Sequence, residues 1–138
     1  MKSILFVCHG NICRSPMGKY IFDYLTDNKY ICESRATSTE EIGNDMYPYA
    51  KEVLTKHNIP FTKHQAKQIT IDDYNNYDLI ICFDDYNISN IKRITNDTSK
   101  VEKLLNHDIE DPWYTNNFEK VYNEIYEGCT NIIKRFKW

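Results

Sequence analysis

The chain has 138 residues, with 17 Lys and Arg against 20 Asp and Glu, for a formal net charge of −3. That length suits one domain with a core of its own, and the acidic balance argues against nucleic acid as the main partner. No stretch approaches the roughly 18 apolar residues of a membrane span, so the expected compartment is the cytoplasm.

The first apolar run, SILFVC (3–8), is rich in strand formers and reads as β. It enters a loop, HGNICRS, that holds one of only four glycines in the chain. A helix is then expected over 16–28, opened by Ser15-Pro16, because proline suits a first helical turn. Further strands are expected at 29–36, 78–83 and 101–105, with helices at roughly 45–57 and 85–94. Between them TIDD (70–73) has the form of a capping box before a short helical turn. The clearest element is the last. Phe118, Val121, Tyr122, Ile125, Cys129, Ile132, Ile133 and Phe136 recur every three or four residues, one stripe of an amphipathic helix. Four strands alternating with helices imply a single α/β domain over 1–138, a parallel sheet covered on both faces, with ligands at the carboxyl ends of the strands.

The loop at 8–15 leaves the carboxyl end of the first strand, where a site belongs. Gly10 frees the backbone to curl, and Asn11 is among the few non-glycine residues that tolerate a left-handed conformation. A curl running into a helix start aims successive N–H groups inward and makes an anion nest. Arg14 can fold back and grip two oxygens of a tetrahedral oxyanion with its planar fork. Cys8 sits at the bottom, where N–H groups, a helix N-terminus and a guanidinium all favour thiolate over thiol. A thiolate would compete with a ligand anion if the task were binding alone. It makes sense if the thiolate attacks.

VCHGNICRSPM resembles the signature of the low-molecular-weight protein-tyrosine phosphatases. The resemblance continues through ATSTEEIGN (36–44), HQAKQIT (64–70), DLIICFDDYN (78–87) and DPW (111–113), and so spans nearly the whole chain. It implies a four-stranded parallel sheet with a phosphate-binding loop after the first strand. It also implies hydrolysis of phosphotyrosine through a cysteinyl phosphate, phosphotyrosine proteins as partners, phosphate or vanadate as inhibitors, and no cofactor or metal. Asp111 falls at the general-acid position. From composition alone, Asp108 and Glu110 are equally good. Ser15 would donate to the Cys8 thiolate, and Asn11 and His64 would hold the loop through hydrogen bonds. His9 is expected to give only its backbone N–H, alongside Gly10, Ile12 and Cys13 in the phosphate cradle. The family pattern puts Asp84 on the cleft side, although capping a helix explains that residue equally well. Glu40 stands where many relatives carry an aromatic, and Trp113 replaces the first tyrosine commonly seen after Asp-Pro, leaving Tyr114.

Three other readings compete. An arsenate reductase on the same fold needs two relay cysteines after the third strand; Cys82 is present, but its expected partner is Ser89. A phosphoarginine phosphatase has threonine in place of Ile12. A metal-binding module built on Cys8, His9 and Cys13 lacks a fourth ligand at convincing spacing, and Arg14 would repel a cation. The five cysteines, Cys8, Cys13, Cys32, Cys82 and Cys129, are irregularly spaced and read as reduced thiols. Cys13 is expected to trap an oxidised Cys8 as a disulfide; its alternative role is packing beneath the loop.

Overall fold

The computed structural model describes residues 2–138. In chain order it contains β1 (Ser3–Cys8), α1 (Arg14–Thr26), β2 (Ile31–Ala36), α2 (Pro48–Lys56), α3 (Ile71–Asn76), β3 (Leu79–Cys82), α4 (Asp85–Thr95), β4 (Val101–Lys103), α5 (Pro112–Thr115) and α6 (Phe118–Phe136). The four strands form one sheet in the order β2-β1-β3-β4, and every pair is parallel. β1 is therefore central and is buried along its whole length.

Period-two alternation along β1 decides where the chemistry sits. Ile4, Phe6 and Cys8 face the larger core with α1 and α6 residues, whereas Leu5 and Val7 face a second cluster with Ile69, Tyr74 and Ile91. Cys8 thus points to the side of the sheet that α1 covers. The loop after it climbs onto that same side, so the start of α1 is delivered next to the sulfur. Close packing holds the helix down: a Cβ at Gly18 would come within 2.8 Å of Phe6 Cδ1.

Several boundaries differ from those expected. α1 begins at Arg14 rather than residue 16, with Cys13 as its N-cap, so Pro16 lies inside the first turn. β2, β3 and β4 are shorter than their apolar runs. The Asp-Pro-Trp segment forms a short helix, α5, that hydrophobic periodicity could not reveal in four residues. The capping box is present, Thr70 and Asp73 each receiving the other's backbone N–H. In the α6 stripe Phe118, Val121, Tyr122, Ile125, Cys129 and Ile132 are buried, while Ile133 and Phe136 pack at the margin of the core.

Candidate active site

The loop between β1 and α1 wraps around one sulfur atom. Cys8 Sγ accepts from the backbone N–H of Asn11 at 3.3 Å and of Ser15 at 3.4 Å, and it lies 3.0 Å from Ser15 Oγ. The two N–H groups donate to the sulfur, and the Ser15 hydroxyl, which also reaches the Arg35 carbonyl at 3.3 Å, lies within hydrogen-bond distance of it. Asn11 makes the curl possible, with φ of 61°. Asn11 is thus the left-handed residue that the sequence offers, and Gly10 does not have a positive φ. A Cβ at Gly10 would instead lie 3.6 Å from Glu41 Cγ, an ordinary contact.

Asn11 is held on every side. Its Nδ2 donates to Ser15 Oγ at 2.7 Å and Ser34 Oγ at 3.0 Å, and its Oδ1 accepts from Lys67 N at 3.1 Å. Its carbonyl is 2.6 Å from His64 Nε2. A carbonyl only accepts, so His64 carries its proton on Nε2. Burial pushes the His64 pKa down, outweighing the Asn11 carbonyl and Asp45 that would raise it. The ring is therefore a neutral donor at pH 7.

Arg14 is almost fully buried, at 2% exposure. Its Nη1 donates to Asp84 Oδ2 at 2.7 Å and to the Ile109 carbonyl at 2.9 Å. Its Nη2 lies 3.6 Å from Asp111 Oδ2, and its Nε has no protein partner. The Nε–Nη2 edge thus makes no protein hydrogen bond, Nη2 being only ion-paired to Asp111, and a guanidinium edge of this kind can grip an oxyanion in bidentate fashion. Burial works against the charged guanidinium, but Cys8, Asp111 and Asp84 outweigh it and hold the Arg14 pKa above its ordinary value. Asp84 serves both roles that the sequence left open: its Oδ1 caps α4 by accepting from Asn87 N at 2.7 Å, while Oδ2 fixes Arg14.

The structure separates the three acidic residues that composition could not rank. Asp108 pairs with Lys103, and Glu110 pairs with Lys120 and Asn117, which hold its pKa down at about 2. Asp111 faces Arg14. Its Oδ1 caps α5 through Trp113 N at 3.1 Å, which leaves Oδ2 turned to the guanidinium.

The cleft so formed is walled by the loop, Asp111, Trp113 and Tyr114 on one side and by His9, Glu40 and Glu41 on the other. Trp113 is half-exposed and packs edge-on against Tyr47 at 4.6 Å. His9 contributes more than its backbone, contrary to expectation, since its Nε2 meets Glu40 Oε2 at 3.2 Å. Ile12 and Cys13 also line the cleft. Burial pushes the Cys13 thiol pKa strongly up, and the charges of Cys8 and Asp111 add to the effect.

Sequence reasoning missed Ser34, Glu41 and the Ile109 carbonyl. Ser34 had a signal, a polar residue at an inward position of β2 between buried Cys32 and Ala36. The Ile109 carbonyl had none, because backbone groups carry no mark in sequence.

Comparisons with known proteins agree with this geometry. The family model of the low molecular weight phosphotyrosine protein phosphatases matches residues 3–137. The chain belongs to that family. A low molecular weight phosphotyrosine protein phosphatase of Gallus gallus is 40% identical, the match covering 99% of this chain and 94% of the relative. Among solved structures, the low molecular weight protein tyrosine phosphatase of Streptococcus pyogenes superposes with a TM-score of 0.93 at 37% identity, over 98% of this chain and 93% of that one. Wzb of Vibrio vulnificus, solved in complex with benzylphosphonate, gives 0.89 at 28% identity, over 97% of this chain and 98% of that one.

His64 yields a prediction about stability. Its folded pKa lies below the value of about 6.5 of an unfolded histidine. On acidification the unfolded chain takes up a proton that the native ring resists, so stability present above pH 6.5 is lost as pH falls through the folded pKa. Glutamine can keep the bond to Asn11 without titrating. Urea midpoints at pH 7.5 and 5.0 should therefore differ less for His64→Gln than for wild type; an equal difference would place the acid sensitivity elsewhere.

Proposed function

We propose that the protein hydrolyses phosphotyrosine, in proteins and in small aryl phosphates, by transferring the phosphoryl group to Cys8 and then to water. The observation that carries this reading is the convergence of two N–H groups and a hydroxyl on the Cys8 sulfur, beside a buried Arg14 whose Nε has no protein partner. The phosphate enters the nest, with Arg14 Nε and Nη2 on two of its oxygens and the N–H groups of His9, Gly10, Ile12 and Cys13 on the rest, the Asn11 N–H staying on the Cys8 sulfur. Cys8 Sγ attacks phosphorus as the bond to the aryl oxygen breaks. A tyrosyl leaving group has a conjugate acid of pKa about 10 and needs a proton; Asp111 Oδ2 donates it. Water then attacks the phosphocysteine, Asp111 takes back a proton, and the sulfur departs as a thiolate toward the Ser15 hydroxyl. Trp113, and Glu40 across the cleft, flank the substrate, while Asn11, His64 and Asp84 keep the loop and Arg14 in place.

The benzylphosphonate of the Vibrio relative supports the same cradle binding phosphate, vanadate and similar oxyanions here. Relay chemistry of the arsenate reductase kind is disfavoured, because Cys82 belongs to the core on the other face of the sheet from Cys8. Burial also pushes the Cys82 thiol up to about 12. Buried, apolar Ile12 suits an aryl phosphate better than a phosphoguanidine. All five cysteines are free thiols, which supports a reducing cytoplasmic setting. No helix among the described residues is long and apolar enough to cross a membrane.

Asp111→Asn should separate leaving groups. With phenyl phosphate, loss of the proton donor should cost on the order of 10²–10⁴ in kcat, and with a strongly acidic phenol far less. Equal losses would make Asp111 structural.

Cys13 has a second task in this proposal. Peroxide oxidises the Cys8 thiolate to a sulfenic acid; the Cys13 thiol then displaces water from it to give a disulfide, which thiols reduce again. Cys13→Ser should stay active but fail to recover with dithiothreitol after peroxide. Full recovery, with no Cys8–Cys13 disulfide in oxidised wild type by peptide mass spectrometry, would reduce Cys13 to a packing residue.

A further inference from the structure

The wall of the cleft opposite Trp113 is acidic, and the chain builds it with some care. Glu40 is 69% exposed and is tied to the phosphate loop through His9. Glu41, next in sequence, lays its stem against Gly10, and its Oε1 accepts from Asn44 Nδ2 at 3.2 Å. The turn that carries them is pinned to the neighbouring segment, Gly43 N donating to the Ala66 carbonyl and Ala66 N to the Asn44 carbonyl, both at 2.8 Å. Asp111 adds a third carboxylate from the other side. Among the described residues lining the cleft, Arg14 is the one Lys or Arg, and it is already faced by Cys8, Asp84 and Asp111. The cleft therefore attracts an anion at its floor and repels one at its rim.

We infer that Glu40 and Glu41 select phosphotyrosines flanked by cationic residues, Lys or Arg within two positions, over those flanked by Asp or Glu. The inference rests on the phosphatase reading and extends it to substrate class. A phosphotyrosine brings a doubly charged group past this rim. A neighbouring carboxylate on the peptide adds repulsion, whereas an ammonium or guanidinium on the same residue position meets Glu40 Oε1 and Glu41 Oε2, the oxygens that His9 and Asn44 leave free. Partly exposed pairs of this kind are each modest and weaken with salt. Two of them, reversed in sign between the two peptides, amount to a preference on the order of tenfold at low ionic strength.

The test uses two phosphotyrosine peptides that differ only in carrying Lys or Glu on both sides of the phosphotyrosine. The expected result for wild type is a kcat/KM ratio near tenfold in favour of the Lys peptide at low salt, shrinking severalfold in half-molar NaCl. Glu40→Gln combined with Glu41→Gln should bring the ratio close to one, and Glu40→Lys should turn it toward the Glu peptide. A wild-type ratio within twofold of one at low salt would overturn the rim's role, as would a preference that survives in the double variant. Failure to dephosphorylate either peptide would overturn the phosphatase reading itself, and the rim with it.

Discussion

Asn11 holds a left-handed backbone, with φ of 61°, and every polar group on it except its N–H is spent on keeping that conformation. Its N–H is spent on the Cys8 sulfur. Left-handed geometry is unfavourable for most side chains, and the hydrogen bonds of the asparagine amide offset the cost. The network reaches three separate parts of the chain: Ser15 at the start of α1, Ser34 in β2, and the 64–67 segment. The loop is thus braced by the sheet and by a remote segment before any substrate arrives. Preorganisation of this kind is what lets backbone N–H groups stabilise charge without reorganising during reaction.

Charge accounts for the rest of the site. One buried guanidinium answers Cys8, Asp84 and Asp111, and it sits over the Phe83 ring at 5.8 Å. Ile109 ties Arg14 to the end of β3: its N–H donates to the Phe83 carbonyl at 2.8 Å and its carbonyl accepts from Arg14. Asp111 follows two residues later, so the loop carrying it is registered to the end of β3. Burial first, and then the neighbouring Cys8 and Asp111, push the Cys13 pKa up and keep it a thiol.

Much of this was legible in the sequence, and the reasons are specific. Strand, loop and helix are contiguous at 3–26, so the nest, Cys8, Arg14 and Ser15 could be read from local patterning alone. The amphipathic stripe of α6 and the capping box at Thr70 were equally local. Asp111 was different, since three acids lie within four residues and the choice rests on which one faces Arg14 across 97 positions of sequence. Composition cannot hold that information; family resemblance supplied it. The left-handed residue was legible too, because asparagine is among the few side chains that tolerate that conformation, and Asn11 adopts it. The side-chain contact of His9 is not legible in the sequence, because its partner, Glu40, belongs to the turn after β2.

The central claim is that phosphate is carried on Cys8 between two half-reactions. Rapid acid quench during turnover of an aryl phosphate, followed by peptide mass spectrometry and ³¹P NMR of the denatured protein, tests it directly. The account predicts a phosphate on the peptide holding Cys8, with a thiophosphate chemical shift, that accumulates further when Asp111→Asn slows its hydrolysis. Steady turnover with no phosphorus on Cys8, or with phosphorus on another residue, would contradict it.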